Sequence, residues 1–365
     1  MPGVYISYPF CHQKCSFCNF ASGVFPADTK VRYHTALEKE IRSHRWEWLP
    51  ETVYFGGGTP SLMPAELLCA LLDAIPREHL TEISLECAPG TLSAELVKRW
   101  ARWGVNRISL GVQSFVIAEL RRTGRRHDTK IVSDDCAMLR AAGIENINID
   151  LIAGLPGQTA QSWQESLDWI ERLQPPHVSI YLFEVDDQSR LGKELLRGGA
   201  RYGAPDVPDD DLMAELYEAA VGRLANLGVE RYEISNFARP GWQSRHNLKY
   251  WQLEPYIGFG LDAHSFDGAR RWSNPDAFDA YFAQQESEGP AWRDSVAANR
   301  TEERFFVGLR LMRGIEPTPE EWTHFAQPIE THLRIGMLEQ DGVRLRLSKR
   351  GVLLSNEIFQ EFIHA

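Results

Sequence analysis

Nowhere does the 365-residue chain carry an uninterrupted apolar run approaching the roughly 18–20 residues needed to cross a bilayer. A secretory leader is missing too. Only Met1, Pro2 and Gly3 precede the first apolar stretch, with no basic segment and no long apolar segment behind it. These absences predict a cytoplasmic protein. Positive charge is in deficit: 39 Lys and Arg stand against 50 Asp and Glu, a formal net charge of −11. An acidic surface repels phosphate backbones, so the expectation is no nucleic-acid partner, although Arg121, Arg122, Arg125 and Arg126 form one local basic patch. Internal repeats and low-complexity tracts are absent. Cysteine is sparse, six in all, and a chain this long needs no disulfide framework. Three of the six fall within eight residues, which in a reducing compartment points to metal.

What is present is alternation. Val4–Tyr8, Thr52–Phe55, Glu82–Glu86, Arg107–Leu110, Asn146–Leu151 and Val178–Phe183 are short, apolar or alternating, and β-rich. Helical periodicity fills Thr29–His44, Ala65–Ile75, Ser93–Trp103, Lys130–Ala142 and Gln161–Leu173, with Gly104 and Gly143 placed as left-handed caps. Alternating β and α elements imply an α/β fold with a parallel sheet. Six units without an eightfold count predict a partial (β/α)6 barrel, whose chemistry gathers at the C-terminal strand ends. After residue 185 the pattern loosens. Leu191–Pro208 reads as a loop, Asp209–Asp211 as the acidic start of a helix reaching Leu227, and Pro240–Trp251 and Tyr256–Phe266 as irregular. A strand at Val343–Leu347 and a helix over Ser348–Phe362 resemble a small winged-helix-like domain. The expected division is 1–240 for the barrel with a following helix and strand, 241–300 for a connecting region, and 301–365 for the C-terminal domain.

The first strand runs directly into Cys11, Cys15 and Cys18 at C-x3-C-x2-C spacing. Three thiolates can ligate three irons of a cubane cluster and leave the fourth iron open, as a reactive centre requires. The alternative is zinc with a borrowed ligand such as His12. Zinc motifs usually come as two half-sites, and there is no second one. Cys69, Cys87 and Cys136 read as small apolar packing residues.

Further candidates follow later strands. Gly56-Gly57-Gly58-Thr59-Pro60 can bring backbone N–H groups close to a ligand, or can be a tight turn; it lacks the Lys-Ser/Thr ending of a P-loop. Glu86, Gln113 and Asp150 end the third, fourth and fifth strands, and Arg125 follows shortly after Gln113. Each is weak alone. Together they place polar groups at one end of successive strands.

The cysteine spacing after strand one, with the aromatic Phe17 before the third cysteine, resembles the radical S-adenosylmethionine (SAM) superfamily. That resemblance implies a 4Fe-4S cluster on Cys11, Cys15 and Cys18 whose open iron chelates SAM. The wider motif set is similar to the branch containing oxygen-independent coproporphyrinogen III oxidase and the HemW-type heme chaperones. By position the resemblance implies SAM contacts from Tyr5, Phe17, Gly57, Glu86 and Arg125, with Gly58, Thr59, Gln113 and Asp150 matching residues that hold a second SAM in the oxidase. No catalytic residue is assigned. Two departures set the chain apart from the oxidase: Phe20 stands where a fourth cysteine is found, and the oxidase's N-terminal extension has no counterpart before Tyr5. His246-Asn247-Leu248-Lys249-Tyr250-Trp251 has the H-N-x-x-Y-W pattern of the chaperones, which implies heme at His246, with Arg245 and Lys249 as propionate partners or plain surface charges. The expected function is therefore a heme chaperone delivering heme to acceptor hemoproteins, with an electron donor and peripheral membrane docking as further partners. The alternative is porphyrinogen decarboxylation.

Overall fold

A computed structural model describes residues 2–286 and 295–363. Residues 287–294 of the connecting region and the last two of the C-terminal domain lie outside the described residues. Six parallel strands form the frame: β1 (Gly3–Tyr8), β2 (Thr52–Gly57), β3 (Glu82–Cys87), β4 (Arg107–Gln113), β5 (Asn146–Ala153) and β6 (His177–Leu182). They pair in chain order, and the sheet stays open. Past β6, the short strands β7 (Glu230–Arg231) and β8 (Asn236–Ala238) extend the sheet antiparallel. On the other side, β9 (Tyr256–Phe259) joins β1 in parallel, followed outward by β10 (His264–Phe266), β11 (Arg270–Ser273) and β12 (Val296–Ala297).

Residue alternation sorts the two faces. Val4, Ile6, Val53, Phe55, Ile83, Leu85, Ile108, Leu110, Ile147 and Ile149 are buried. They carry the hydrophobic contact with the covering helices α1 (Ala27–Ser43), α2 (Ala65–Asp73), α3 (Ala94–Arg102), α4 (Ile117–Arg122), α5 (Thr129–Ala141) and α6 (Ala160–Leu173). The intervening positions, among them Tyr54, Glu86, Ser109, Asn148, Asp150, His177 and Ser179, form the polar concave face. Burial of these groups requires hydrogen bonds, and Asn148 supplies them: its amide donates to Ser109 at 2.7 Å, Asp150 at 2.7 Å and Ser179 at 3.0 Å, and its carbonyl meets His177 Nδ1 at 2.7 Å. Helix signals behaved as the residues dictate. Gly104 and Gly143 adopt φ of +91° and +86°, and Asp209 caps α8 (Asp210–Asn226) by accepting from Leu212 N at 2.9 Å.

Three expectations for the second half need correction. The segment read as a loop contains α7 (Arg190–Leu196), capped by Ser189 and anchored by the fully buried Leu191, and a 3-10 turn at Arg201–Asp206. The stretches read as irregular hold α9 (Arg245–Trp251) and strands β9 and β10. Local patterning was weak there because these elements are specified by their partners, β1 for β9 and the strand ends of β2 and β3 for α9. After α10 (Phe278–Glu286), the C-terminal segment comprises α11 (Arg300–Phe306), α12 (Pro319–His324), α13 (Ala326–Arg334), the hairpin β13 (Leu338–Asp341)–β14 (Arg344–Leu347), α14 (Lys349–Leu353) and α15 (Ser355–Gln360). The expected final helix is thus two short ones, broken at Leu354. Its core is continuous with that of the sheet; Phe305, Phe325 and Phe362 pack ring to ring within it. Among the described residues, no helix is long and apolar enough to cross a membrane.

Candidate functional site

The cysteine loop leaves β1 at the C-terminal edge of the sheet and is tied down by backbone. Cys11 N donates to Gly23 O at 2.8 Å, Gly23 N to Pro9 O at 2.9 Å, and Ser16 N to Thr123 O at 3.1 Å. Cys11, Cys15 and Cys18 all line one cavity of about 550 Å³. They remain free thiols, and burial pushes the Cys11 thiol up, against hydrogen bonds from Thr59 and Ser22. Among the described residues, no three His, Cys, Asp or Glu side chains converge closely enough to hold a single metal ion. Three thiols on the wall of one cavity supply the donor set that a cubane cluster with one open iron needs. His12, the candidate fourth zinc ligand, is exposed.

The loop after β2 shapes the cavity floor. Gly57 has φ +111°, and a Cβ on Gly58 would sit 2.8 Å from the Pro9 carbonyl carbon and 3.0 Å from Cys11 Sγ. Only glycine lets this backbone pass so near the first cysteine. Thr59 and Phe17 also line the cavity. Glu86 reaches it from the end of β3, accepting from Tyr54 Oη at 2.8 Å and Gly57 N at 3.1 Å. Burial, helped by the Asp150 carboxylate, pushes its pKa up to about 7 against those two hydrogen bonds. Asp150 accepts from Ser109 at 2.9 Å and Asn148 at 2.7 Å, and burial raises it too.

Gln113 adopts φ +72° where the β4–β5 register slips between Gly111 and Gln113. This bulge presents the side chain to the cavity. Arg125 is held by its bond to Gly111 O at 2.5 Å. The buried atoms Gln113 Oε1 and Arg125 Nε have no hydrogen-bond partner among the described residues. Orphaned donor and acceptor groups in such a cavity fit a polar ligand of the SAM type. The basic patch is not one surface: Arg125 points inward, while Arg122 is spent on Pro156 O at 3.2 Å and on Asp206.

Tyr5 departs from the expectation. It does not line this cavity, and its ring lies beside Tyr54, centroids 6.1 Å apart, inside the barrel. His246 departs further. It is 1% exposed and packs at the opposite end of the strands, beside Gly3 and Thr52. Its Nδ1 meets Thr52 Oγ1 at 2.8 Å, its Nε2 meets Tyr250 Oη at 2.8 Å, and its ring stacks on Tyr54 at 5.1 Å. Both ring nitrogens are engaged, so the imidazole offers no open lone pair to an iron in this arrangement. Burial, and secondarily Lys249, lowers its pKa to about 3. The helix carrying it is docked by Glu82, which accepts from Arg245 N and His246 N, both at 3.0 Å. Lys249 is no surface charge: it is 3% exposed and paired with Glu51 at 2.6 Å and Glu254 at 3.1 Å.

Sequence reasoning missed Tyr54, which links His246 to Glu86, and Tyr181, which lines the cavity from β6. The period-two pattern Ser179–Tyr181 was the available signal for the latter. Cys87 and Cys136 are buried as expected, whereas Cys69 is only half-buried.

Residues 5–170 match the family model of the radical SAM superfamily. The heme chaperone HemW of Lactococcus lactis is 33% identical over 371 residues, spanning 98% of this chain and 96% of that protein. HemW of Escherichia coli is 34% identical over 270 residues, 72% of this chain and 69% of its own length. Among solved structures, the radical SAM enzyme coproporphyrinogen III oxidase (HemN) of Escherichia coli superposes with a TM-score of 0.84, covering 100% of this chain and 90% of that one at 24% identity. That likeness is one of fold.

Proposed function

Because this chain belongs to the HemW family within the radical SAM superfamily, we propose that it is a heme chaperone that holds a 4Fe-4S cluster and SAM and passes heme to acceptor hemoproteins. The observation that carries this reading is the near full-length similarity to HemW, together with a cavity in which Cys11, Cys15 and Cys18 face Gly57, Glu86, Gln113 and Arg125. The cluster, when bound, supplies one-electron chemistry at SAM. The chain's own residues would do the positioning. The three thiolates hold the cluster, the Gly57–Thr59 backbone lies against the SAM amino-acid moiety, and Glu86 and Arg125 provide an acceptor and a cation for its polar groups. Cytoplasmic residence keeps the thiols reduced; an electron donor and peripheral docking at membranes that hold hemoproteins complete the proposal.

The HemN fold keeps porphyrinogen decarboxylation as the second reading. Against it stands Phe20, 63% exposed at the cavity rim, in place of the oxidase's fourth cysteine. Anaerobically reconstituted protein loaded with hemin and mixed with apomyoglobin separates the two. Transfer of the Soret band to the globin, with no decarboxylation of coproporphyrinogen, is expected. Turnover of the porphyrinogen without heme transfer would reverse the assignment.

A further inference from the structure

The helix that carries the H-N-x-x-Y-W motif packs at the N-terminal ends of the strands, yet one side chain joins its histidine to the cluster cavity. That side chain is Tyr54, in the middle of β2. Its ring packs nearly parallel to the His246 imidazole, centroids 5.1 Å apart and planes 25° apart. The Tyr5 ring lies alongside as well, at 6.1 Å and 16°. The Tyr54 hydroxyl donates to Glu86 Oε1 at 2.8 Å, and the second oxygen of that carboxylate accepts from Gly57 N at 3.1 Å. Glu86 lines the cluster cavity and Tyr54 does not. The tyrosine therefore acts on a ligand there only through Glu86.

The supports of Tyr54 are themselves anchored. Thr52 and Tyr250 hold both nitrogens of His246, and Glu82 holds the start of α9 by two backbone N–H groups. Gly56 leaves the rings their space: a Cβ there would lie 2.8 Å from a Tyr5 ring carbon and 3.0 Å from a Tyr54 ring carbon. The first glycine of the run thus serves the aromatic column, while Gly57 and Gly58 serve the loop. Glu86 depends on such support. Around it stand the Asp150 carboxylate and the phenols of Tyr5, Tyr54, Tyr181 and Tyr250, and the cavity adds Arg125, Arg126, His127 and the three cysteines. The hydrogen bonds that favour its charged form come from Tyr54 and Gly57.

We propose that Tyr54, backed by His246, is a positioning residue of the SAM site: it aims the Glu86 carboxylate at SAM, so that the H-N-x-x-Y-W motif supports SAM binding through the aromatic column. The proposal rests on the SAM-binding reading of the cavity and needs no heme. It gives the buried histidine a task that its two occupied nitrogens allow.

The test is calorimetric titration of SAM into the cluster-loaded full chain, with iron content as the loading control. Wild type is compared with Tyr54→Phe, His246→Ala and the double variant. Leu345→Ala, a fully buried position on β14 outside the cavity lining, controls for plain loss of stability. At pH 8.5, Tyr54→Phe should bind SAM about fivefold more weakly, for one lost hydrogen bond to a charged group. Its affinity should also begin to fall at a higher pH than that of wild type, because the lost bond favoured ionised Glu86. The amino group of SAM titrates alike in both proteins and cancels in the comparison. His246→Ala should lose affinity severalfold, and the double variant should be no weaker than the weaker single, since both act through one hydrogen bond. Leu345→Ala should bind as wild type does. Wild-type affinity and an unshifted pH profile in Tyr54→Phe overturn the positioning role. Wild-type affinity in His246→Ala, losses that multiply in the double variant, or an equal loss in Leu345→Ala overturn the link to the motif. No SAM binding by wild type overturns the SAM reading itself, and the proposal with it.

Discussion

Replacing His246 by alanine tests whether this histidine is a ligand held ready for iron or a structural part of the packing at the N-terminal ends of the strands. The substitution strips a partner from Thr52 Oγ1, which is fully buried, and from Tyr250 Oη, each bonded to the ring at 2.8 Å. Each orphaned buried hydroxyl costs about 1–3 kcal/mol. The void left under Tyr54 adds a cavity term, so a total of about 4 kcal/mol is expected at pH 8. Chemical denaturation of the full chain reads this directly, and scanning calorimetry should show a drop of roughly 5 °C in Tm for a chain of this length. The pH dependence gives a second signature. His246 titrates near 3 in the folded protein, below its unfolded value, so its contribution is complete above about pH 6.5 and is lost as pH falls toward 3. At pH 5 wild type has given up about 2 kcal/mol through this group, and alanine has nothing to lose. The gap between the two proteins should therefore narrow from about 4 to about 2 kcal/mol between pH 8 and pH 5. A ligand poised on the surface would behave otherwise. A change below about 0.5 kcal/mol at both pH values, the level of an ordinary surface substitution, would refute the structural reading.

Cys15→Ala should abolish the broad cluster absorbance after anaerobic reconstitution with iron and sulfide while leaving the far-UV spectrum unchanged; an intact cluster in that variant removes Cys15 from the ligand set. Gly58→Ala should lower cluster occupancy severalfold, because the added methyl would lie 3.0 Å from Cys11 Sγ and 2.8 Å from Pro9 backbone; iron analysis equal to wild type would show that the loop can yield. SAM affinity, followed by calorimetry on the cluster-loaded protein, should fall as pH drops below about 7, where Glu86 takes up a proton. Glu86→Gln should bind SAM several times more weakly and with a flat pH profile, and a profile that is still sloped would assign the titration to another group.

The cysteine triad, the glycine run and the alternating strands were legible in the sequence because each is a local constraint. Thiol spacing fixes what a loop can ligate, consecutive glycines fix how near a backbone can pass, and period-two alternation fixes which side chains share a face. From these alone, Gly57, Glu86, Gln113, Arg125 and Asp150 could be placed at one end of a parallel sheet, and the structure gathers them with the cysteines around a single cavity. Tertiary structure decided the rest. The H-N-x-x-Y-W motif names a histidine but not its surroundings, and the pairing of β1 with β2 and β9 puts Thr52 and Tyr250 where they occupy both its nitrogens. Arg310 and Tyr181 lie 129 positions apart in the chain, in segments with no shared pattern, and line one cleft only because the C-terminal helices close against the β6 side of the sheet. Contacts between distant segments depend on which surfaces bury together, and no local period records that.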